Sequence, residues 1–208
     1  MNLSLYVITD KKLAGERSMV EICREAIRGG AAAIQLRCKD ESCREALTLG
    51  KELRTLTRQT GTLFIVNDRI DLALLLEADG VHLGQEDIPL KEAGKLMREK
   101  IIIGYSAETI AEAKKAEAEG ASYLGVGPVF ATSTKPDAGE ALGLEKLTEI
   151  CRSVSIPVVG IGGIKQDNAS SVMQAGASGV AVISAVMAAK DVRKAAASLA
   201  KQVAVHRG

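Results

Sequence analysis

Short apolar runs, several of them rich in Val and Ile, return along this chain at regular intervals, and that recurrence constrains the fold more than any other feature. They are "LYVIT" (5–9), "AIQLR" (33–37), "LFIVN" (63–67), "GVHLG" (80–84), "IIIGYS" (101–106), "YLGVGPV" (123–129), "PVVGIGG" (157–163) and "GVAVIS" (179–184). Segments of helical periodicity lie between most of them. In "SMVEICREAIRGG" one stripe holds Met19, Ile22, Cys23, Ala26 and Ile27, with a stop at Gly29 or Gly30. "ETIAEAKKAEAEGA" is a strong helix former that stops at Gly120, and "DNASSVMQAGA" opens on Asp167 or Asn168 as N-cap and closes at Gly176. A final helix is predicted over 187–204.

Alternating strands and helices imply parallel strands, and near-continuous apolar strands imply burial on both faces. Eight such units in 208 residues make a lean (β/α)8 barrel with eight helices. A doubly wound open sheet usually has fewer strands and a Gly-rich turn after the first. Here "ITDKKLAGE" follows the first strand, and the glycine pair comes only after the seventh. The expectation is α/β, a single-domain (β/α)8 TIM barrel over residues 1–208, with no linker or low-complexity tract.

Composition removes several function classes. A net charge of +1 creates no field that attracts nucleic acid or an anionic membrane, and five Phe and Tyr residues without Trp make a poor base-stacking surface. No apolar run reaches the length of a membrane span. "MNLSLYVITDKK" shows no secretory signal, so a cytoplasmic protein is expected. Cys23, Cys38, Cys43 and Cys151 form no C-x-x-C, which speaks against zinc. Cys23 and Cys151 read as small buried hydrophobes, and a Cys38–Cys43 bridge would need an oxidising compartment.

Barrels of this type carry their chemistry at the C-terminal ends of the strands. There the chain places Thr9 and Asp10; Gln35, Arg37 and Lys39; Asn67, Asp68 and Arg69; Gln85, Glu86 and Asp87; Ser106; Thr132 to Lys135; Gly162 and Gly163; and Ser184. Gln35, Arg37 and Lys39, spaced by two, share one face of an extended segment. Two buried cations need an anion to meet them, either a ligand or a rim acid such as Asp68. Asp68 and Asp87 end consecutive strands, about 5 Å apart if neighbours. Carboxylates that close suit a Mg²⁺ ion completed by waters and phosphate oxygens, although either Asp could simply cap the helix after it. Gly162, Gly163 and Ser184 suit a phosphate held between the loops after strands seven and eight. "TSTK" (132–135) is richer in anion-binding groups than a turn requires, though a solvated loop has the same composition. His82 reads as a core histidine with its hydrogen bonds satisfied, and His206 in the tail is assigned no role.

Taken together, "QLRCK", "VNDRIDLALLLEADGVHLGQEDIP", "GYSAET", "GVGPVFATSTK" and "VVGIGGI…NASSVMQAGASGVAVISAV" resemble the thiamine phosphate synthase family over nearly the whole chain. The resemblance implies a Mg²⁺-dependent transferase. It would join 4-amino-5-hydroxymethyl-2-methylpyrimidine diphosphate to 4-methyl-5-(2-phosphoethyl)thiazole and release diphosphate. It implies that Gln35, Leu36, Arg37, Cys38, Lys39 and Asn67 line the pyrimidine diphosphate site. Asp68 and Asp87 would hold Mg²⁺, and Ser106 and Lys135 the diphosphate. Thr132, Ser133, Thr134, Gly163, Ile183 and Ser184 would bind the thiazole phosphate. Arg37, Lys39 and Lys135 would act catalytically by neutralising the leaving group. Two positions depart from the family pattern: Glu108 stands where many relatives have His, and Cys38 where an acid is common.

The partners expected are therefore small phosphorylated pyrimidine and thiazole substrates, not nucleic acid or membrane; assembly into a homo-oligomer is left open by the sequence. Two rival readings carry their own marks. A thiazole tautomerase of the same fold resembles this chain but uses a proton-transferring His where Pro128 stands, and it tends to lose the Asn-Asp and Thr-x-Thr-Lys motifs present here. A non-catalytic barrel that binds a phosphorylated metabolite would keep Gly163 without needing both Asp68 and Asp87.

Overall fold

A computed structural model describes residues 1–97, 101–132, 134 and 139–205. Its strands are β1 (Leu5–Ile8), β2 (Ala33–Leu36), β3 (Leu63–Asn67), β4 (Gly80–Leu83), β5 (Ile102–Ala107), β6 (Tyr123–Val126), β7 (Val158–Ile161) and β8 (Gly179–Val182). They close in sequence order into a barrel in which every neighbouring pair is parallel. The apolar runs are legible as strands because both faces are buried: β1, β2, β6 and β8 are buried at every position.

Helices alternate with the strands: α1 (Lys11–Ala14), α2 (Met19–Arg28), α3 (Cys43–Thr60), α4 (Ile70–Leu75), α5 (Leu90–Leu96), α6 (Ile110–Ala118), α7 (Gly143–Ser153), α8 (Ala169–Gln174), α9 (Ser184–Met187) and α10 (Val192–Ala204). The local chemistry sets their starts. Ser42 and Glu45 form a reciprocal capping box at α3, as do Thr109 and Glu112 at α6. Gly61 ends α3 in the left-handed conformation at φ 68°.

The expected eight helices are joined by α1 and α9, four-residue turns at the barrel mouth. They are too short to show a periodic pattern. The last helix begins at Val192 and not at 187, because α9 occupies Ser184–Met187 and the Asp191 side chain caps α10 by accepting from the Lys194 N–H at 2.9 Å. Arg17 ties these two short helices together. Its guanidinium donates to the Leu13 and Ala14 carbonyls of α1, to that of Met187 at the end of α9 and to that of Ala189 just after it. All four cysteines are free, Cys23 buried and Cys151 half-buried, and Cys38 and Cys43 form no bridge. Among the described residues no helix is long and apolar enough to cross a membrane.

Register decides which side chains fill the barrel. Asn67, His82, Gly104 and Tyr123 stand in line across β3 to β6. Gly104 has a packing reason: a Cβ built there would lie 2.2–2.4 Å from the ring and hydroxyl atoms of Tyr123. Gly104→Ala is therefore expected to cost roughly 1–3 kcal/mol, or to displace the Tyr123 ring. Thermal denaturation checks it: an unchanged melting temperature with an unmoved ring would contradict the packing argument.

Candidate active site

At the C-terminal mouth of the barrel lies a cavity of about 720 Å³, a size that suits small-molecule sites. Gln35, Arg37, Lys39, Asn67, Asp68, Asp87, Ser106, Thr132, Thr134, Gly163, Ile183 and Ser184 all line it. Residues from strands two to eight thus meet in one space. Ser133 and Lys135 lie outside the described residues, as does His206.

Leu36 and Cys38 are placed elsewhere. Alternation along β2 sends Gln35 into the mouth and Leu36 outward, where its Cδ2 would lie 3.2 Å from a Cβ added at Gly50 on α3. Cys38 is half-buried against the core, and burial pushes its thiol up to about 11, so it is no nucleophile at neutral pH. Neither side chain lines the cavity.

Each cation on the Gln35 face has an acidic neighbour. Arg37 Nη1 lies 3.4 Å from Asp10 Oδ2, and Lys39 Nζ donates to Asp68 Oδ2 at 2.6 Å. The Arg37 backbone is fixed as well, its N–H donating to Thr9 Oγ1 at 3.0 Å. One long contact uses a fraction of a guanidinium's five N–H donors, so Arg37 keeps several for a ligand.

Asp68 does not cap a helix. The N-cap of α4 is Arg69, without a side-chain cap, and Asp68 itself sits at φ 61°. The Arg69 N–H donates to the Asn67 carbonyl at 2.7 Å, closing a tight three-residue turn around Asp68, whose own N–H donates to the His82 carbonyl at 2.8 Å. A γ-turn at positive φ is rare and strained for a residue with a Cβ. The turn aims the carboxylate at the mouth. Asp87 does not cap α5 either, since Pro89 holds that place. Its Oδ2 accepts from the Gly84 N–H at 2.7 Å.

The two carboxyl groups meet. Burial pushes the Asp87 carboxyl up, the Gly84 N–H opposes this, and the neighbouring Asp68 carboxylate raises it further. Two acids in contact call for a proton or a cation between them. Among the described residues no three His, Cys, Asp or Glu side chains gather. A protein contribution of two carboxylates fits Mg²⁺, which keeps waters and takes phosphate oxygens, and does not fit zinc.

The loops after β6, β7 and β8 form the other half of the mouth. Thr134 Oγ1 donates to Ser184 Oγ at 3.2 Å, and the Thr134 N–H donates to Thr132 Oγ1 at 3.2 Å. Gly163, at φ 64°, lies so close to Phe130 and Ala131 that an added Cβ would be 2.7–2.8 Å from their atoms. Asn168 holds this loop from behind: its Nδ2 donates to the Gly163 carbonyl at 3.0 Å and its Oδ1 accepts from the Lys165 N–H at 2.7 Å. Lys165, which the sequence reading passed over, adds a cation to the lining. Glu108 adds an acid there.

The cavity floor adds two residues that the sequence pattern did not single out, Tyr6 and Tyr123. Gln35 Nε2 donates to Tyr6 Oη at 2.9 Å, and Tyr6 Oη meets Tyr123 Oη at 2.9 Å. Tyr123 Oη meets His82 Nδ1 at 2.9 Å, and His82 Nε2 meets Ser106 Oγ at 3.0 Å. His82 has both ring nitrogens engaged, as expected of a satisfied histidine, but it stands in the cavity wall. Burial raises both phenols above their ordinary value, so each keeps its proton. The available signal was position: Tyr6 and Tyr123 share the inward alternation of the rim residues.

Known proteins carry the same pattern. The family model described as "Thiamine monophosphate synthase" matches residues 5–186. A thiamine-phosphate synthase of Moorella thermoacetica is 54% identical over 204 residues, 98% of this chain and 97% of its own length. That of Pyrococcus furiosus is 54% identical over 201 residues, 97% and 95% of the two lengths. The solved structure of a thiamine phosphate pyrophosphorylase from Pyrococcus furiosus superposes with a TM-score of 0.92 at 51% identity, covering 99% of this chain and 98% of that one. With matches running through every strand of the barrel, the chain belongs to the thiamine monophosphate synthase family.

Proposed function

We propose that the barrel mouth joins 4-amino-5-hydroxymethyl-2-methylpyrimidine diphosphate to 4-methyl-5-(2-phosphoethyl)thiazole, that Arg37 and Lys39 stabilise the departing diphosphate, and that Asp68 and Asp87 are the residues that would hold Mg²⁺ beside it. The chain is an enzyme, a transferase of thiamine biosynthesis that makes thiamine phosphate. One observation carries the finer reading: groups suited to two separate anions line a single cavity, on a chain more than half identical to thiamine-phosphate synthases over nearly its full length.

The thiazole nitrogen already has a lone pair, so the reaction needs no strong base. That lone pair forms the C–N bond to the pyrimidine methylene carbon. The C–O bond to diphosphate breaks, and its electron pair leaves with the diphosphate. Gln35 and Asn67 orient the pyrimidine. The 4-amino group spreads positive charge from the methylene carbon, which supports departure of the diphosphate through a pyrimidine-methyl cation before the thiazole attacks. Arg37 and Lys39 neutralise the charge that builds on the leaving oxygens, with Ser106 donating a hydrogen bond. Lys135 joins them by family resemblance. Thr132, Thr134, Gly163, Ile183 and Ser184 hold the thiazole phosphate, with Ser133 added by the same resemblance. Bound Mg²⁺ supplies further neutralisation of the diphosphate. Fixing both substrates in one cavity adds the proximity term.

With both substrates and Mg²⁺, the purified protein is expected to release one diphosphate per thiamine phosphate formed. EDTA is expected to stop it and added Mg²⁺ to restore it. Turnover indifferent to chelation would remove the metal from the proposal. Thiazole isomerisation without diphosphate release would favour the tautomerase, a reading that Pro128 in the cavity lining, with no proton to transfer, speaks against.

A further inference from the structure

Among the described residues, the floor of the cavity holds a file of hydrogen bonds from Gln35 through Tyr6, Tyr123 and His82 to Ser106. Gln35 is 2% exposed, Tyr6 2% and Tyr123 0%, so bulk water does not reach that part of the file, while His82 and Ser106 are half-buried in the cavity wall. Each phenol has one proton to give, and in this file each sits between two partners. Neutral imidazole donates from one nitrogen and accepts at the other. The links are therefore not independent. If Gln35 donates Nε2–H to Tyr6, then Tyr6 donates to Tyr123, Tyr123 donates to His82 Nδ1, and His82 Nε2–H donates to Ser106. The Ser106 hydroxyl proton is then free to point into the cavity, and Gln35 Oε1, which has no acceptor role elsewhere among the described residues, is free to accept from a ligand. Turning the Gln35 amide over reverses every link. Ser106 then spends its proton on His82 and offers the cavity only lone pairs, while Gln35 offers a donor.

We propose that this file is a polarity relay that makes recognition of the pyrimidine edge at Gln35 and of the anionic tail at Ser106 depend on each other, with Tyr6, Tyr123 and His82 as positioning residues. The inference rests on the assignment of Gln35 to the pyrimidine and Ser106 to the diphosphate made above. An amino group is a donor and needs Gln35 Oε1. A diphosphate oxygen is an acceptor and needs the Ser106 proton. Both demands select the same direction of the file. A 4-oxo pyrimidine offers an acceptor instead and selects the opposite direction, which turns the Ser106 lone pairs towards the anion. The protein thereby rejects the oxo ring at both ends at once, although Gln35 alone meets it. A buried polar group left facing its like is how small differences in a ligand become large differences in affinity.

The test is calorimetric binding without thiazole, so that no product forms. Four ligands are compared: the 4-amino and 4-oxo pyrimidines, each as the alcohol and as the diphosphate with Mg²⁺. In the native protein the preference for amino over oxo is expected to be about tenfold larger for the diphosphates than for the alcohols, the effect of one inverted hydrogen bond. Tyr123→Phe keeps the ring in the space that Gly104 leaves for it but breaks the file. It is expected to abolish that excess while the alcohols keep their own amino preference. Tyr6→Phe, which breaks a different link, is expected to do the same and covers the case in which Tyr123→Phe fails to fold. An excess unchanged in either folded variant would overturn the relay. Gln35→Ala and Ser106→Ala report on the underlying assignments separately. Unchanged alcohol affinity in the first, or unchanged diphosphate affinity in the second, would sink the corresponding assignment and the relay with it.

Discussion

Asp68→Asn is expected to leave a folded barrel that releases diphosphate at least about a hundredfold more slowly than the native protein, the scale of losing a group that stabilises leaving-group charge. Shape is nearly conserved, and Asn tolerates the φ of 61° that Asp68 adopts. The loss would therefore be one of charge: the Lys39 contact, the pairing with Asp87 and the proposed metal position all use the carboxylate. Asp68→Gly makes a sharper companion. Glycine relieves the strained turn, so stability is expected to rise by roughly 1 kcal/mol while turnover stays as low as in Asp68→Asn. Diphosphate release and thermal melts on the same preparations decide it. Native turnover in either variant would take Asp68 out of the chemistry, and a fall in stability of Asp68→Gly would remove the strain argument.

Arg37→Met should lower kcat/KM by about a hundredfold or more, because a nearly buried guanidinium facing the departing charge has no replacement on its own strand except the more exposed Lys39. The same change strands Asp10, whose side chain is only 12% exposed, and should cost about 2 kcal/mol of stability. These two effects separate cleanly. Asp10→Asn retains the cap on α1, where Asp10 accepts from the Leu13 N–H at 3.0 Å, because Asn caps as well as Asp. Combined with Arg37→Met it should restore stability and leave turnover low. A double variant that regains turnover would mean that Arg37 matters only as the partner of Asp10.

The strands were legible because parallel barrel strands are buried on both faces, which writes "LFIV" and "GVAV" as unbroken apolar runs. The start of α8 was legible because its cap is local: of Asp167 and Asn168, Asn168 holds the N-cap place. Helix starts were not legible where a second short helix intervened, as between β8 and α10. The spacing of Gln35, Arg37 and Lys39 correctly brought three polar residues to one cavity, since period-two alternation is intrinsic to extended chain. The same alternation argues against Leu36 and Cys38, which the family resemblance had drawn in with their neighbours: their side chains belong to the helical layer and the core. Whether Asp68 capped a helix was undecidable from sequence, because both roles use an Asp after a strand; only the φ value and the Arg69 N-cap separate them. The phenol–imidazole file was illegible for a different reason. It joins residues as far apart as Tyr6 and Tyr123, and only barrel closure brings them within 2.9 Å.

The central claim is that Asp68 and Asp87 jointly hold a divalent cation against the diphosphate. Crystals grown with the pyrimidine diphosphate and Mn²⁺ in place of Mg²⁺ test it through the anomalous scattering of the metal. The account predicts one strong peak between the two carboxylates, in contact with diphosphate oxygens and facing Arg37. A bound diphosphate whose metal sits away from both Asp68 and Asp87 would contradict it.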